Sequence, residues 1–294
     1  MTSLVINMAA HQTDTDPWDW RGARAVVATM HSKQHAIADG LRALELSFAE
    51  LPAGFDTDCF GTFTRDIARA GDQRGAARAK ALAALERLPE ARIGIASEGA
   101  FGPHPALPML PGGFEIVLAL DRLTGRELIG SDRTFETNYA QRIITTPAEA
   151  EAFAAAIGFP HHGIIVMDDV GQMPINKEIA DPRQLRDVAG RALRANGRVW
   201  LETDMRAHRN PTRMASIARA AGNLAAIWAA RCPRCAQPGW IAAPAPGRPC
   251  AWCGGATGEH WTDVFQCGGC GHRETVTINP DHRADPGACP NCNP

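Results

Sequence analysis

Apolar positions over residues 24–230 switch repeatedly between two periods. Ala25-Val26-Val27-Ala28-Thr29 is a short continuous apolar run that reads as a buried strand. A helix follows from about Lys33, with Ile37, Leu41, Leu44 and Phe48 at helical spacing. A second, alanine-rich helix spans about Gln73 to Leu88, with Leu82 and Leu85 as its core face. Arg92 to Ser97 reads as another buried strand, followed by a loop rich in Gly and Pro. Phe114–Asp121 and Glu127–Ile129 read as strands joined in a hairpin at Thr124-Gly125.

Three later helices carry explicit start signals. Thr146-Pro147-Ala148-Glu149 is a capping box with proline at the first helical position. Asp181-Pro182 opens a helix that stops near Asn196-Gly197, and Asn210-Pro211 opens the last, with a stripe of Met214, Ile217, Ala221, Leu224 and Trp228. His162–Met167 and Arg198–Thr203 are the strands between them. This interleaving predicts an α/β domain over residues 21–230, with a mixed central sheet flanked by helices. Residues 1–20 are polar and aperiodic and read as a disordered leader. Residues 231–294 lose helical periodicity and gain Gly, Pro and Cys, which predicts a separate small zinc-ribbon-like module.

Composition changes this picture in three places. The net charge of −2 over 294 residues excludes a basic coat for blanket nucleic-acid binding. No apolar run approaches the roughly 18 residues that span a membrane, and the N-terminus lacks a basic n-region, so the expected location is cytoplasmic. Of the 30 basic residues only Lys33, Lys80 and Lys177 are lysines. An arginine bias of this kind reads first as genome composition, so each arginine is judged by position.

Eight of the nine cysteines form four C-x-x-C knuckles: Cys232/Cys235, Cys250/Cys253, Cys267/Cys270 and Cys289/Cys292. Cys59 stands apart and reads as a small buried hydrophobe. Two residues between cysteines let both sulfurs face one tetrahedral ion, and two knuckles close one four-cysteine site. The module is therefore expected to hold two structural Zn2+ ions. Either neighbouring knuckles pair, or the middle two pair through the strand His260–Gln266 while the first and last close over them. Five arginines balance five acidic residues in 231–294, so eight thiolates on two Zn2+ leave about −4. Such a module is poorly equipped to hold nucleic acid. Docking on the α/β domain or on a protein partner suits it better.

Ligands of α/β sheets bind where strands end and helices begin. Three such junctions are candidates. Thr29-Met30-His31-Ser32-Lys33 places a lysine at a helix start, where an anion would explain it. Glu98, after a buried strand, could hold Mg2+ or act as a base, with His104 further along the Gly/Pro loop. Arg206, His208, Arg209 and Arg213 gather around the Asn210-Pro211 helix start, where they oppose the helix dipole unless an anionic ligand sits there.

Together these junctions resemble the inosine triphosphate pyrophosphatase and Maf-type nucleotide hydrolases. The resemblance rests on Thr29 and Lys33, on Gly61-Thr62-Phe63-Thr64, on Arg78-Ala79-Lys80-Ala81, on Glu98-Gly99, and on His208-Arg209 with Arg213. His31 stands where that family has asparagine, and its helical metal-binding glutamate has no clear counterpart, leaving Asp66 or Asp72 to substitute. Most of the chain also resembles a bacterial family defined by a domain of unknown function, through residues 61–64, 96–105 and the ending at 285–294.

Two classes of function follow. One is a Mg2+-dependent hydrolase of a nucleotide-like phosphoanhydride. In it Glu98, Asp66 or Asp72, and His104 would be catalytic, and Thr29, Lys33, Arg206, His208, Arg209 and Arg213 would hold phosphate. The other is a non-enzymatic zinc-containing adaptor.

Overall fold

The structure is a computed structural model and describes residues 16–29, 32–52, 54–55, 71–104, 107–168, 171 and 173–294. Residues 1–15, His31, Cys59, Gly61–Thr64 and Asp66 lie outside the described residues.

The first half of the chain builds a mixed five-stranded sheet. Its strands are β1 (Arg24–Val27), β2 (Ser47–Ala49), β3 (Ile93–His104), β4 (Leu107–Asp121) and β5 (Glu127–Thr134), in the order β2-β1-β3-β4-β5. β1 is parallel to both β2 and β3, whereas β3, β4 and β5 form an antiparallel meander. Helix α1 (Gln34–Gly40) connects β1 toward β2, and α2 (Gln73–Arg87) precedes β3.

The two helices lie on opposite faces. Ala36 and Ile37 of α1 pack with Val27, Ile93, Ile95 and Val117 on one face. Ala77, Ala81 and Leu85 of α2 pack with Val26, Ala28, Ala96 and Leu118 on the other. Since side chains alternate along a strand, odd-numbered residues of β3 face α1 and even-numbered residues face α2. β1 is apolar at successive positions because both its faces are covered.

The Gly/Pro-rich stretch after Ser97, expected as a loop, is instead the outer half of a long β3–β4 hairpin. Pro103 lies opposite Pro111 and Gly102 opposite Gly112, at the hairpin's far end, where the strands run beyond the packed core and proline removes no core ladder bond. Glu98 is therefore inside a strand and buried, not after one. The hairpin at Thr124-Gly125 forms as expected, with Gly125 at φ 67° donating to Asp121 O.

A second sheet holds β6 (Gln141–Ile144), β7 (Ile164–Met167), β8 (Pro174–Asn176) and β9 (Val199–Thr203), in the order β6-β9-β7-β8, all antiparallel. Helices α3 (Pro147–Ile157) and α4 (Pro182–Asn196) cover it through Phe153, Ile157, Leu185 and Val188. The α/β architecture is mixed, as expected, and its strands are distributed over two sheets. Helix α5 (Pro211–Ala229) returns to the first sheet. It comes close enough that a Cβ at Gly130 would overlap the helix backbone at Ala220 and Leu224.

Trp18 and Trp20 fall within the expected disordered leader but are packed. Trp20 is buried, its Nε1 donates to Asp121 Oδ2 at 3.1 Å, and Trp18 O accepts from Trp228 Nε1 at 3.1 Å. Their apolar rings outweigh the polar surroundings that make this segment look unstructured.

The remaining strands, β10 (Ala242–Pro246), β11 (His260–Gln266) and β12 (Arg273–Thr277), form an antiparallel sheet within the cysteine-rich region. No helix among the described residues is long and apolar enough to cross a membrane.

Candidate functional site

The cysteines form two clusters, Cys232/Cys235/Cys267/Cys270 and Cys250/Cys253/Cys289/Cys292, with the sulfurs in each within 4.8 Å of one another. First pairs with third and second with fourth. This corrects both pairings considered from spacing: neighbours do not pair, and the middle knuckles do not pair. The reason is the β10-β11-β12 sheet, which sets two knuckles at each end and interleaves the sites.

Each knuckle is a tight turn in which the residue after the second cysteine donates to the first cysteine's carbonyl: Ala236 to Cys232, Gly254 to Cys250, Gly271 to Cys267 and Asn293 to Cys289, at 2.9–3.1 Å. Four sulfurs each about 2.3 Å from one tetrahedral ion must lie about 3.8 Å apart. The sulfurs of Cys232 and Cys270 are 3.8 Å apart, those of Cys235 and Cys267 3.5 Å, Cys250 and Cys292 3.9 Å, and Cys253 and Cys289 3.6 Å. The geometry fits two structural Zn2+ sites, closed by four protein ligands each. Crowding by Cys253 and the other thiols pushes Cys292 up to about 12, so a cluster of this kind needs a cation before all its thiols ionise. The first cluster is tied to the α/β part: Arg126 Nη2 donates to Gln237 Oε1 at 2.8 Å, and Trp240 N to Ala230 O at 3.0 Å.

A second constellation lies where β1 ends. β1 pairs with β3 as far as Val27 opposite Ile95, and β3 continues alone beyond it on that side among the described residues. With α1 and α2 on opposite faces, this is a topological switch point, the place where open α/β sheets bind ligands. Lys33, the residue before α1, reaches into it and is only 8% exposed. Its Nζ donates to Ser97 O at 3.5 Å. On the α2 face of β3, Glu98 is ion-paired with Lys80 of α2, and both are buried. On the α5 face, Glu115 is ion-paired with Arg213 at 3.2 Å, again fully buried. Gly99 lies opposite Glu115 in the register, and a Cβ there would overlap the Glu115 carboxylate. Gln73 Nε2 binds Glu98 O at 2.6 Å and Phe114 O at 3.0 Å, pinning the start of α2 onto the hairpin.

Among the described residues the cluster holds three basic side chains and two carboxylates. Desolvation, assisted by the nearby Arg213 charge, lowers Lys33 from 10.5 to about 7, although Glu115 and Glu98 act the other way. Ser97 Oγ is buried and has no hydrogen-bond partner among the described residues.

Of the residues singled out in the sequence, Lys33, Glu98 and Arg213 converge here. Thr29 lies just beyond the end of β1. Arg206 and Arg209 point elsewhere. Arg206 pairs with the buried Asp204 at 2.7 Å and with Glu178, and Arg209 donates to Ile179 O, so both brace the second sheet. His208 beside them is exposed and lowered, by desolvation first and the Arg206 charge second. Asp72 caps α2, its Oδ1 accepting from Gly75 N at 2.7 Å. His104 lies at the hairpin's far end against Phe135, with ring centroids 4.6 Å apart. Ser97, Glu115 and Gln73 were not singled out, and Lys80 entered only through a motif. A usable signal was the scarcity of lysine: two of the three lysines in the chain are buried at this site.

Fold and sites together define an α/β protein with a charged switch-point cluster and a module of two interleaved four-cysteine sites. The chain belongs to the family described as Domain of unknown function (DUF6671), whose model matches residues 80–294. Lys80, Glu98, Glu115, Arg213 and the eight knuckle cysteines fall inside the matched region, and Lys33 precedes it. No curated protein matches the chain.

Proposed function

We propose that this protein binds a small phosphate-bearing anion at the switch point of its first sheet. One observation carries the reading. Lys33 is a buried amine whose hydrogen bonding among the described residues is one long contact to a backbone carbonyl, with no carboxylate at ion-pair distance, and among those residues the buried hydroxyl of Ser97 beside it has no partner either. A buried charge without a counter-charge is costly unless a ligand supplies one. Phosphate oxygens would satisfy both groups at once, and Lys33 can take up a proton as the anion arrives, which arginine cannot do.

The finer reading is hydrolysis of a nucleotide-like phosphoanhydride with Mg2+. Lys33, Lys80 and Arg213 would neutralise charge developing on the phosphoryl oxygens. Glu98 would help hold the metal, with Asp66 favoured over Asp72 as second ligand, because the Asp72 carboxylate already caps α2. Wild type and Glu98→Ala are compared on a nucleoside triphosphate panel with Mg2+, alongside pyrophosphate binding. Equal background release by both proteins ends the hydrolase reading and leaves the anion site standing; absence of pyrophosphate binding ends both.

The module with the two four-cysteine sites is read as scaffold. A partner-docking role has one observation in its favour: Trp252, at the tip of the second knuckle, is 80% exposed.

A further inference from the structure

The hairpin that carries Glu98 also carries a cavity of about 380 Å³, within the size range of small-molecule sites. Its floor is made of small residues. Ala100 and Gly102 follow Glu98 at the next two even positions of β3, on the face that bears the Lys80–Glu98 pair. Its walls are aromatic or planar: Phe114, with the Arg133 guanidinium 4.1 Å from its ring centroid, and His104, whose ring lies against Phe135 at a 40° tilt. Gln73 links the two places, since its amide bridges Glu98 O and Phe114 O. At about 3.3 Å per residue, Gly102 lies roughly 13 Å along the strand from Glu98, so the cavity begins about 7 Å from the charged cluster.

We infer that this cavity is the ring subsite of the same ligand, and that the ligand is a nucleotide whose aromatic base lies between the Phe114/Arg133 and His104/Phe135 walls. The inference rests on the anion site proposed above and names the class of molecule that fills it. Three features favour a nucleobase. The walls are π-faces and a guanidinium plane, which stack on any planar heterocycle. Arg133 has no acceptor for its N–H groups among the described residues, so its edge is available to a ring carbonyl or ring nitrogen. The spacing along β3 between the cavity and Glu98, which carries the Lys80 ion pair, suits a molecule with a ring at one end and phosphates at the other.

Gly102 supplies the test. Nothing lies within 4 Å of the position a Cβ would take there, and its φ is not left-handed, so a side chain introduced by Gly102→Leu starts from open space on the cavity floor. Titration calorimetry on the zinc-loaded full chain uses adenosine and guanosine triphosphates, tripolyphosphate and free adenosine as probes. The expected result is that at least one triphosphate nucleotide binds about tenfold or more tightly than tripolyphosphate. Gly102→Leu should remove that advantage while leaving tripolyphosphate affinity unchanged. Equal affinity for nucleotides and tripolyphosphate overturns the ring subsite but not the anion site. Loss of nucleotide and tripolyphosphate affinity together in Gly102→Leu also overturns it. Adenosine binding that Gly102→Leu removes, with no tripolyphosphate binding, keeps the ring subsite and overturns the anion site. No binding of any probe overturns both.

Discussion

Replacing Lys33 by methionine should make the protein more stable and less able to bind. Lys33 is buried at the end of β1, and its pKa falls from 10.5 to about 7 through desolvation first and the Arg213 charge second. At about 1.4 kcal/mol per pH unit, holding the charged form in the fold costs on the order of 5 kcal/mol. The sign follows from the two protonation states. Below pH 7 the lysine is charged in both folded and unfolded chains, and the cost is complete. Between pH 7 and 10.5 the unfolded chain carries a proton that the folded chain has released, so the cost shrinks as pH rises. Above 10.5 both are neutral and the cost is gone. Methionine has similar length and no charge, so Lys33→Met should exceed wild type by several kcal/mol at pH 6.5. That gap should shrink by about 1.4 kcal/mol per pH unit from pH 7 to 9.5. Urea unfolding of the zinc-loaded chain at a series of pH values measures it, and differences contributed by the cysteine module cancel between the two proteins. A gap that does not change with pH, or a variant less stable than wild type, refutes the reasoning. A stabilised variant that no longer binds pyrophosphate is the signature of a charge retained for function.

Removing Glu115 should have the opposite effect: Glu115→Ala leaves Arg213 buried without its carboxylate and should cost about 3–5 kcal/mol by denaturant melt, whereas Glu115→Leu combined with Arg213→Met should recover most of the loss. The interleaved knuckles make a stoichiometric prediction. By elemental analysis, Cys232→Ala with Cys267→Ala should keep one zinc per chain, and Cys232→Ala with Cys250→Ala should keep none; neighbour pairing would reverse the two results. Thr146→Ala removes the capping box of α3 and should lower stability by about 1 kcal/mol, read as a shift in the urea midpoint with unchanged slope.

Helix starts were legible because capping is local chemistry. Thr146, Asp181 and Asn210 each accept from the backbone N–H three residues on, at the positions their Pro-containing signals indicate. The C-x-x-C spacing likewise reported a local turn, and all eight cysteines gather into four-sulfur clusters as it implies. What pairs with what is decided at long range. The knuckle pairing depends on how β10, β11 and β12 order themselves, which no spacing records. The same holds for the charged cluster. Lys33, Lys80, Glu98, Glu115 and Arg213 come from five different segments, and they meet because α1 and α5 pack on one face of the sheet and α2 on the other. The arginines near Asn210 illustrate the converse. Arg206, Arg209 and Arg213 are close in sequence and share charge, yet two of them meet acceptors around the second sheet and one crosses to Glu115. The hairpin beyond Ser97 was obscured by its glycines and prolines, which signal turns in isolation but are tolerated where strands leave the core.

In the proposed function Lys33 waits, largely uncharged at pH 8, for a phosphate-bearing anion. Titration calorimetry with pyrophosphate at pH 8, in two buffers of different ionisation enthalpy, tests it most directly. With Lys33 at about 7 before binding, pyrophosphate should occupy one site per chain with net uptake of close to one proton, and Lys33→Met should lose both binding and uptake. Binding without proton uptake, or binding that survives in Lys33→Met, would contradict it.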